Sequence, residues 1–142
     1  MRSMGLDVGD RRIGIALSDS LGLTAQRLAL LERQSTASDV EAVSALAKQH
    51  GVSVIVVGLP LTMRGEAGPQ AKKVEAFAST LRRRVRVPVR LVDERLTTVQ
   101  GERALLETGA SRRKRKGVID QVAAQLILQQ FLDTQRAGGP SS

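Results

Sequence analysis

The chain has 142 residues, 42% of them apolar, and a formal net charge of +8. This length suits one domain with a full hydrophobic core, the composition excludes a disordered chain, and the lack of cysteine excludes disulfides, thiolate zinc sites and cysteine nucleophiles. The positive charge favours a partner with many phosphates, so nucleic acid is the expected ligand.

The first half of the chain reads as a hairpin followed by alternating helix and strand. Strands are predicted at residues 4–8, Arg12–Ser18, 26–31 and 52–57. The last of these is rich in β-branched residues, which is typical of a strand buried on both faces. Ser38 and Glu41 have the spacing of a capping box, which predicts a helix that begins there and ends near His50.

The second half continues the alternation after a glycine-rich loop at residues 61–70. The predicted elements are a helix around Phe77, a strand at 87–92, and helices at 99–107 and 118–136. We expect one domain over 1–136 and a disordered tail at 137–142. The order β-β-β-α-β-α-β-α-α predicts an α/β fold in which a mixed sheet carries helices on both faces.

Asp7 is the first candidate catalytic residue. It lies inside the first predicted strand, between Leu6 and Val8, where an ionised carboxylate is costly unless another group compensates for it. Gly9 leaves space for such a group to approach. An aspartate that merely caps the turn is the alternative, but Asp10 is better placed for that. We therefore interpret Asp7 as functional.

A second acidic site follows the predicted strand at 87–92, where Asp93 and Glu94 stand side by side. Ligands of open α/β sheets gather at the carboxyl ends of strands. Adjacent strand residues point to opposite faces, so only one of this pair can face a given site, and the residues alone leave the choice open. Helix capping by Thr97 accounts for the polar residues after the strand but not for the acids. Arg95 can pair with either one.

Asp120 is the third acidic candidate. In the predicted last helix it shares a face with Ala124, Ile127 and Phe131, so an acid heads an apolar stripe that faces the core. The helix dipole favours aspartate near a helix N-terminus. This explains why Asp120 lies early in the helix, but not why it lies on the apolar side of the helix. For Asp120 taken alone, both interpretations stay open.

Three acids with few bases beside them suit divalent cations. Mg²⁺ and Mn²⁺ prefer carboxylate and water oxygens. Two such ions about 3.5–4 Å apart can activate a water and stabilise the leaving oxygen of a phosphodiester. The sequence therefore predicts two bound Mg²⁺ or Mn²⁺ ions as the cofactor.

A run of five cations precedes the helix that carries Asp120 and is predicted to be a loop. Its ordinary explanation is a solvated surface, but its position also suits it to hold a phosphate backbone. The residues predicted to contact nucleic acid are Arg11, Arg95, Arg112, Arg113, Lys114, Arg115 and Lys116. Phe77 and Phe131 are the only aromatic residues, so bases are not expected to stack on aromatic side chains.

Four motifs occur in an order and spacing that match a known family: "DVGDRRIGIALSD", "GLPLTMRGEAGPQA", "DERLTT" and "VIDQVAAQLILQQFLD". They resemble the YqgF (RuvX) family of Holliday-junction-resolvase-like proteins, whose members carry the name pre-16S rRNA nuclease. The resemblance spans about residues 4–133. The family is similar to ribonuclease H, which implies a five-stranded mixed sheet, three antiparallel strands then two parallel ones, flanked by helices.

The resemblance also implies metal-dependent hydrolysis of phosphodiester bonds by three acids, which fall on Asp7, Glu94 and Asp120. It thus chooses Glu94 over Asp93. The implied role is maturation of the 5′ end of the small-subunit ribosomal RNA precursor, a structured RNA partner. Asp10 departs from the Thr or Ser of many members, which affects the turn and not the three acids.

Other functions compete with this one. A resolvase-like nuclease would act on branched or single-stranded DNA, and a non-catalytic RNA-binding assembly factor would keep the fold without the chemistry, although the intact acids argue against it. An actin-like ATPase would also place an acid before a hairpin, but 142 residues cannot supply its second lobe. We expect a cytoplasmic protein without a membrane partner, and leave pairing into a homodimer open.

Overall fold

The computed structural model describes residues 1–96 and 112–137, and for Leu96 and residues 112–120 it describes the backbone alone. The elements are β1 (Arg2–Val8), β2 (Arg12–Ser18), β3 (Ala25–Glu32), α1 (Thr36–Gln49), β4 (Val52–Leu59), α2 (Pro69–Arg84), β5 (Val89–Asp93), a short 3₁₀ helix (Glu94–Leu96) and α3 (Arg112–Arg136). The predicted helix at 99–107 and the predicted tail from 138 onward lie outside these residues. None of the helices in the described ranges has the length and hydropathy of a membrane span.

The five strands form one mixed sheet in the order β3-β2-β1-β4-β5. Strands β1, β2 and β3 pair antiparallel, whereas β4 and β5 join β1 in parallel. A short turn is enough to reverse the chain between antiparallel neighbours, while each parallel strand needs a crossover, which α1 and α2 supply. The predicted sheet of three antiparallel and two parallel strands is confirmed, and β1 lies at its centre.

One face of the sheet packs large aliphatic side chains against α1 and α2. Because side chains alternate along a strand, the even-numbered residues of β1 point to this face. The core on this side includes Met4, Leu6, Ile13 and Ile55 from the sheet, Val43 from α1 and Phe77 from α2.

The opposite face is covered by α3 and is built from small residues. Ala16 and Val56 of the sheet pack here against Ala124 and Ile127 of α3. At Gly5 a Cβ atom would stand only 2.7 Å from the Cβ of Leu128, so α3 lies close against the β1 backbone. Helices on both faces are therefore confirmed.

Two glutamines attach α3 to the beginning of β3. The Gln129 side chain accepts a hydrogen bond from the Ala25 N–H at 2.9 Å and donates one to the Leu23 carbonyl at 3.0 Å. Gln125 donates to the Ala25 carbonyl at 3.0 Å. These bonds satisfy backbone groups of Ala25 and of Leu23, just before β3, and fix where α3 crosses the sheet.

Two helix starts differ from the sequence prediction. Helix α1 begins at Thr36 because Ser35 is its N-cap: the Ser35 hydroxyl accepts from the Ser38 N–H at 3.1 Å, so Ser38 lies in the first turn. Helix α3 begins at Arg112 and not near residue 118. The five cations are therefore helical and do not form a loop, since Arg and Lys are good helix formers.

Candidate active site

Asp7 is buried in β1 on the face that α3 covers. Its side chain points to the same side as Gly5, because alternate strand residues share a face, and the residue is 7% exposed. Its partner on β2 is Gly14, which has no side chain to fill the space beside it. The structure thus places a carboxylate on the α3 face, near the end of the central strand.

Glu94 approaches the same region from the end of β5. It is the first residue of the 3₁₀ helix and is 1% exposed. Its Oε1 lies 2.8 Å from the point that a Cβ of Gly58 would occupy, and Ile127 of α3 contacts that same point. The Glu94 carboxylate therefore lies over β4 on the α3 side of the sheet.

Strand register brings the two acids together. Leu6 of β1 is paired with Val57 of β4, so the next residues along these parallel strands, Asp7 and Gly58, are neighbours about 4.8 Å apart. Since Glu94 covers Gly58, both buried carboxylates share one face and one end of the sheet. A carboxylate pair at the carboxyl ends of strands is a common location for a ligand site in α/β proteins.

Asp93 lies on the other face. It is paired with Leu59, which packs against the core under α1 and α2. Its carboxylate accepts from the Arg95 Nη2 at 2.7 Å, from Nε at 3.1 Å and from the backbone N–H at 2.9 Å. The hydrogen bonds from Arg95 lower the pKa of the Asp93 carboxyl, and the same contact raises the pKa of Arg95. The geometry thus separates the two adjacent acids.

Asp120 lies in α3, one helical turn before Ala124, and its side chain is outside those described. Ala124 lies over Gly5, whereas Arg136 lines a cavity with Ser3 at the start of β1. Helix α3 therefore runs antiparallel to β1, which puts the Asp120 backbone toward the end of the sheet where β1 ends. That its carboxylate joins the other two stays a prediction.

A partly buried cation, which the sequence analysis missed, supports the β1–β2 turn. The Arg33 guanidinium donates to the Gly9 carbonyl at 3.1 Å and to the Asp39 carboxylate at 3.0 Å, and Asp39 is 2% exposed. It also stacks 5.3 Å from the Phe77 ring centroid. The Arg33 N–H binds the Arg11 carbonyl at 2.8 Å, so the backbone next to the exposed Arg11 side chain is fixed.

Gly58 is another position of the candidate site that the sequence analysis does not identify. The sequence pattern predicts that the strand ends there, yet Gly58 lies within β4 and clears the space that the Glu94 carboxylate occupies. The available signal was a glycine continuing a β-branched run, which indicates close approach of another group.

The donor set fits a hard divalent cation. Asp7 and Glu94 offer carboxylate oxygens, the ligands that Mg²⁺ and Mn²⁺ prefer, and the missing side chain at Gly58 leaves room for one of them. Among the described residues no group of three His, Cys, Asp or Glu side chains could hold a metal ion. A third protein ligand would come from outside the described side chains, and Asp120 is the predicted one.

Solved structures define the class of fold. The chain aligns with RuvC of Thermus thermophilus in complex with a Holliday junction substrate at a TM-score of 0.61 and 12% identity, covering 98% of each chain. It aligns with the fowlpox virus resolvase bound to Holliday junction DNA at a TM-score of 0.55 and 10% identity, covering 95% of this chain and 99% of that one. The protein therefore has the ribonuclease H-like fold of the Holliday junction resolvases.

Comparison with protein families assigns the chain more narrowly than the fold does. The RuvX family, described as Holliday junction resolvase, matches residues 1–134. A protein of Moorella thermoacetica is 55% identical over 133 residues, covering 94% of this chain and 95% of its own, and one of Myxococcus xanthus is 51% identical over 136 residues, covering 96% and 90%. Both carry the name "Putative pre-16S rRNA nuclease". The chain belongs to the RuvX family, which confirms the resemblance seen in its motifs.

Proposed function

We propose that the chain is a divalent-metal-dependent nuclease that hydrolyses phosphodiester bonds, with Asp7, Glu94 and Asp120 as metal-binding catalytic residues. The observation that carries the proposal is the convergence of two buried carboxylates, on β1 and after β5, on one face of the sheet. Two carboxylates that share one face and one end of a sheet offer oxygen ligands to the same divalent cation. Family membership supports the same reaction class.

The protein groups supply positioning and charge. Bound Mg²⁺ or Mn²⁺ would supply an activated water and would stabilise the charge on the leaving oxygen. Asp7 and Glu94 would hold the ions from two neighbouring strand ends, with Asp120 as the third ligand. Because the two described acids are buried, little water competes for their oxygens. Strong electrostatic interaction with the reacting phosphate follows from such a site.

The substrate we propose is the pre-16S ribosomal RNA, cleaved during 5′-end maturation in the cytoplasm. The name that the relatives carry supports it. The net charge of +8 fits a polyanionic ligand, with Arg11 and the helical cations Arg112 to Lys116 contacting phosphates. The family description favours branched DNA as a second candidate.

Cleavage of end-labelled substrates tests the proposal. The substrates are a precursor rRNA fragment, single-stranded RNA and DNA, and a four-way DNA junction, each with Mg²⁺, Mn²⁺ or chelator. We expect metal-dependent cleavage that Asp7→Asn abolishes and that Asp10→Asn preserves. Asp10 is a matched control because it lies three residues away with its side chain 63% exposed, paired with Lys73.

Two outcomes would contradict the proposal. Normal cleavage by Asp7→Asn would show that the site is elsewhere. Tight RNA binding by the wild type without cleavage of any substrate would instead favour the non-catalytic assembly factor. The preferred substrate among the four decides between ribosomal RNA maturation and DNA processing.

A further inference from the structure

The loop between β4 and α2, residues 60–68, is an ordered turn, which we call the Thr62 loop. The Thr62 N–H donates to the Glu66 carbonyl at 2.9 Å, and the Thr62 hydroxyl accepts from the Glu66 N–H at 3.1 Å. The Gly65 N–H closes the turn on the Thr62 carbonyl at 2.8 Å, with Gly65 at a φ of +82°. These bonds give the loop one defined conformation and leave Met63 and Arg64 at its exposed tip.

The two ends of the Thr62 loop lie near the strand ends that carry the two buried acids. It leaves β4 just after Gly58, the position under the Glu94 carboxylate. It ends at α2, where the Gln70 side chain donates to the Val8 carbonyl, the residue after Asp7, at 3.5 Å. The loop therefore lies at the same end of the sheet as both acids.

Arg95 connects the loop to the acidic end of β5. Its guanidinium is held by Asp93, and Nη1 donates to the Met63 carbonyl at 3.5 Å. A Cβ on Gly65 would lie 3.2 and 3.3 Å from Nη1 and Nη2, so the guanidinium lies flat against the loop backbone. Arg95, the residue after Glu94, therefore contacts the loop backbone directly.

We propose that Arg95 is a positioning residue that docks the Thr62 loop beside the acids, and that the docked loop binds the substrate strand next to the scissile phosphate. Met63, a residue that is 86% exposed, would contact the apolar surface of a sugar or base, and Arg64 would contact a phosphate. This inference rests on the proposed nuclease function and names the element that binds its substrate. Direct contact of Arg95 with nucleic acid stays a prediction; in the structure its guanidinium donates to Asp93 and to the loop.

Docking can be measured without any activity. The chain has no cysteine, so Ala67→Cys, at an exposed loop position, accepts a single spin label. We expect an immobilised spectrum in the otherwise wild-type chain and a mobile one after either Arg95→Gln or Asp93→Asn. Arg84→Gln is the matched control, because Arg84 makes a similar two-pronged contact with Glu41 between α2 and α1 and should leave the spectrum unchanged.

Substrate contact is measured as the Kd for a labelled single-stranded RNA, in an Asp7→Asn background that cannot cleave it. We expect Arg95→Gln to weaken binding about fivefold to tenfold, the size of one lost contact. The Met63→Ala, Arg64→Ala pair should weaken binding as much while the loop stays immobilised. Because all three changes act through one element, combining them should not add a further loss. Arg84→Gln should bind like the background chain.

The outcomes separate the parts of the proposal. An immobilised loop in Arg95→Gln would overturn the positioning role. A mobile loop with unchanged Kd would overturn the contact between loop and substrate. If the wild type binds and cleaves RNA in either case, the nuclease function stands without this inference. A wild type that cleaves none of the four substrates, RNA or DNA, would remove the proposed function itself.

Discussion

At the residue scale, Asp93 and Glu94 have different surroundings because they point to opposite faces of the sheet at the end of β5. Asp93 is paired with Arg95 on the side of α1 and α2, and Glu94 is buried at 1% exposure under α3. Asp93 points away from Asp7 and is held by a guanidinium, whereas Glu94 shares the face of the sheet on which Asp7 lies and can bind a metal ion together with it. The two residues should therefore respond differently to loss of their charge.

Glu94→Gln should lower kcat for phosphodiester cleavage by about a thousandfold or more, because a metal site supplies several kcal/mol of transition-state stabilisation. Asp93→Asn should keep kcat within about threefold, since it acts only through the Thr62 loop. Steady-state cleavage with saturating Mg²⁺ measures both. A larger loss of kcat in Asp93→Asn than in Glu94→Gln would show that Asp93, and not Glu94, binds the metal.

The Asp93–Arg95 pair also predicts how loop docking depends on pH. Its hydrogen bonds lower the pKa of Asp93 below the usual value of about 3.9. The pair therefore stabilises the docked loop at all pH values above that range and is lost as pH falls through the lowered pKa. The spin label at position 67 should stay immobilised from pH 8 to about pH 5 and become mobile only below about pH 4. Circular dichroism checks that the fold persists, and mobilisation near neutral pH would contradict the assignment.

At the element scale, α3 packs closely against the sheet because the residues under it are glycines where it crosses β1 and β4. Gly58→Ala should reduce both stability and Mn²⁺ affinity, because the added Cβ would meet the Glu94 carboxylate at 2.8 Å and Ile127. Overpacking of this kind costs about 1–3 kcal/mol. Urea unfolding and a Mn²⁺ titration followed by electron paramagnetic resonance measure the two effects.

Gly5→Ala is the matched control for this change. Its Cβ would meet Leu128 at 2.7 Å and the Ala124 carbonyl at 2.9 Å but neither acid. It should therefore destabilise the chain to a similar degree while Mn²⁺ affinity stays closer to wild type. Equal loss of metal affinity in both variants would mean that α3 displacement, and not contact with Glu94, is responsible.

Most elements could be predicted from the sequence because their patterns are local. The strands and the mixed sheet followed from apolar runs and their order, whereas the start of α3 at Arg112 did not. A run of cations looks alike in a loop and in an exposed helix, so charge alone does not fix its conformation.

The candidate site was predictable only in part, because its geometry depends on distant parts of the chain. Asp7 could be identified from its place inside a strand. The choice between Asp93 and Glu94 needed the family resemblance, since alternation shows that they face opposite ways but not which face carries α3. The positions of Gly58 under Glu94 and of Arg95 under the Thr62 loop depend on packing between separate elements.

At the scale of the whole molecule, the net charge of +8 predicts salt-sensitive binding. Replacing Arg113 and Lys114 by Ala should make the slope of log Kd against log salt shallower by about 1.4 for single-stranded RNA, if each contacts one phosphate. The control replaces Arg83 and Arg84, which carry the same charge at the far end of α2, and should leave the slope unchanged. Equal slopes in the two double variants would show that net charge alone, and not the beginning of α3, governs binding.

The unequal faces of the sheet have a consequence for how the family can vary. On the side of α1 and α2, many large side chains share the volume, so one can shrink while a neighbour grows. Under α3, a side chain at Gly5 would meet the backbone of the helix, which has no volume to exchange, and one at Gly58 would meet the Glu94 carboxylate and Ile127. A saturation-mutagenesis library should therefore accept many apolar replacements on the first face and almost none at these two glycines. Among the described residues, the face that carries Asp7 and Glu94 should therefore tolerate fewer substitutions than the opposite face.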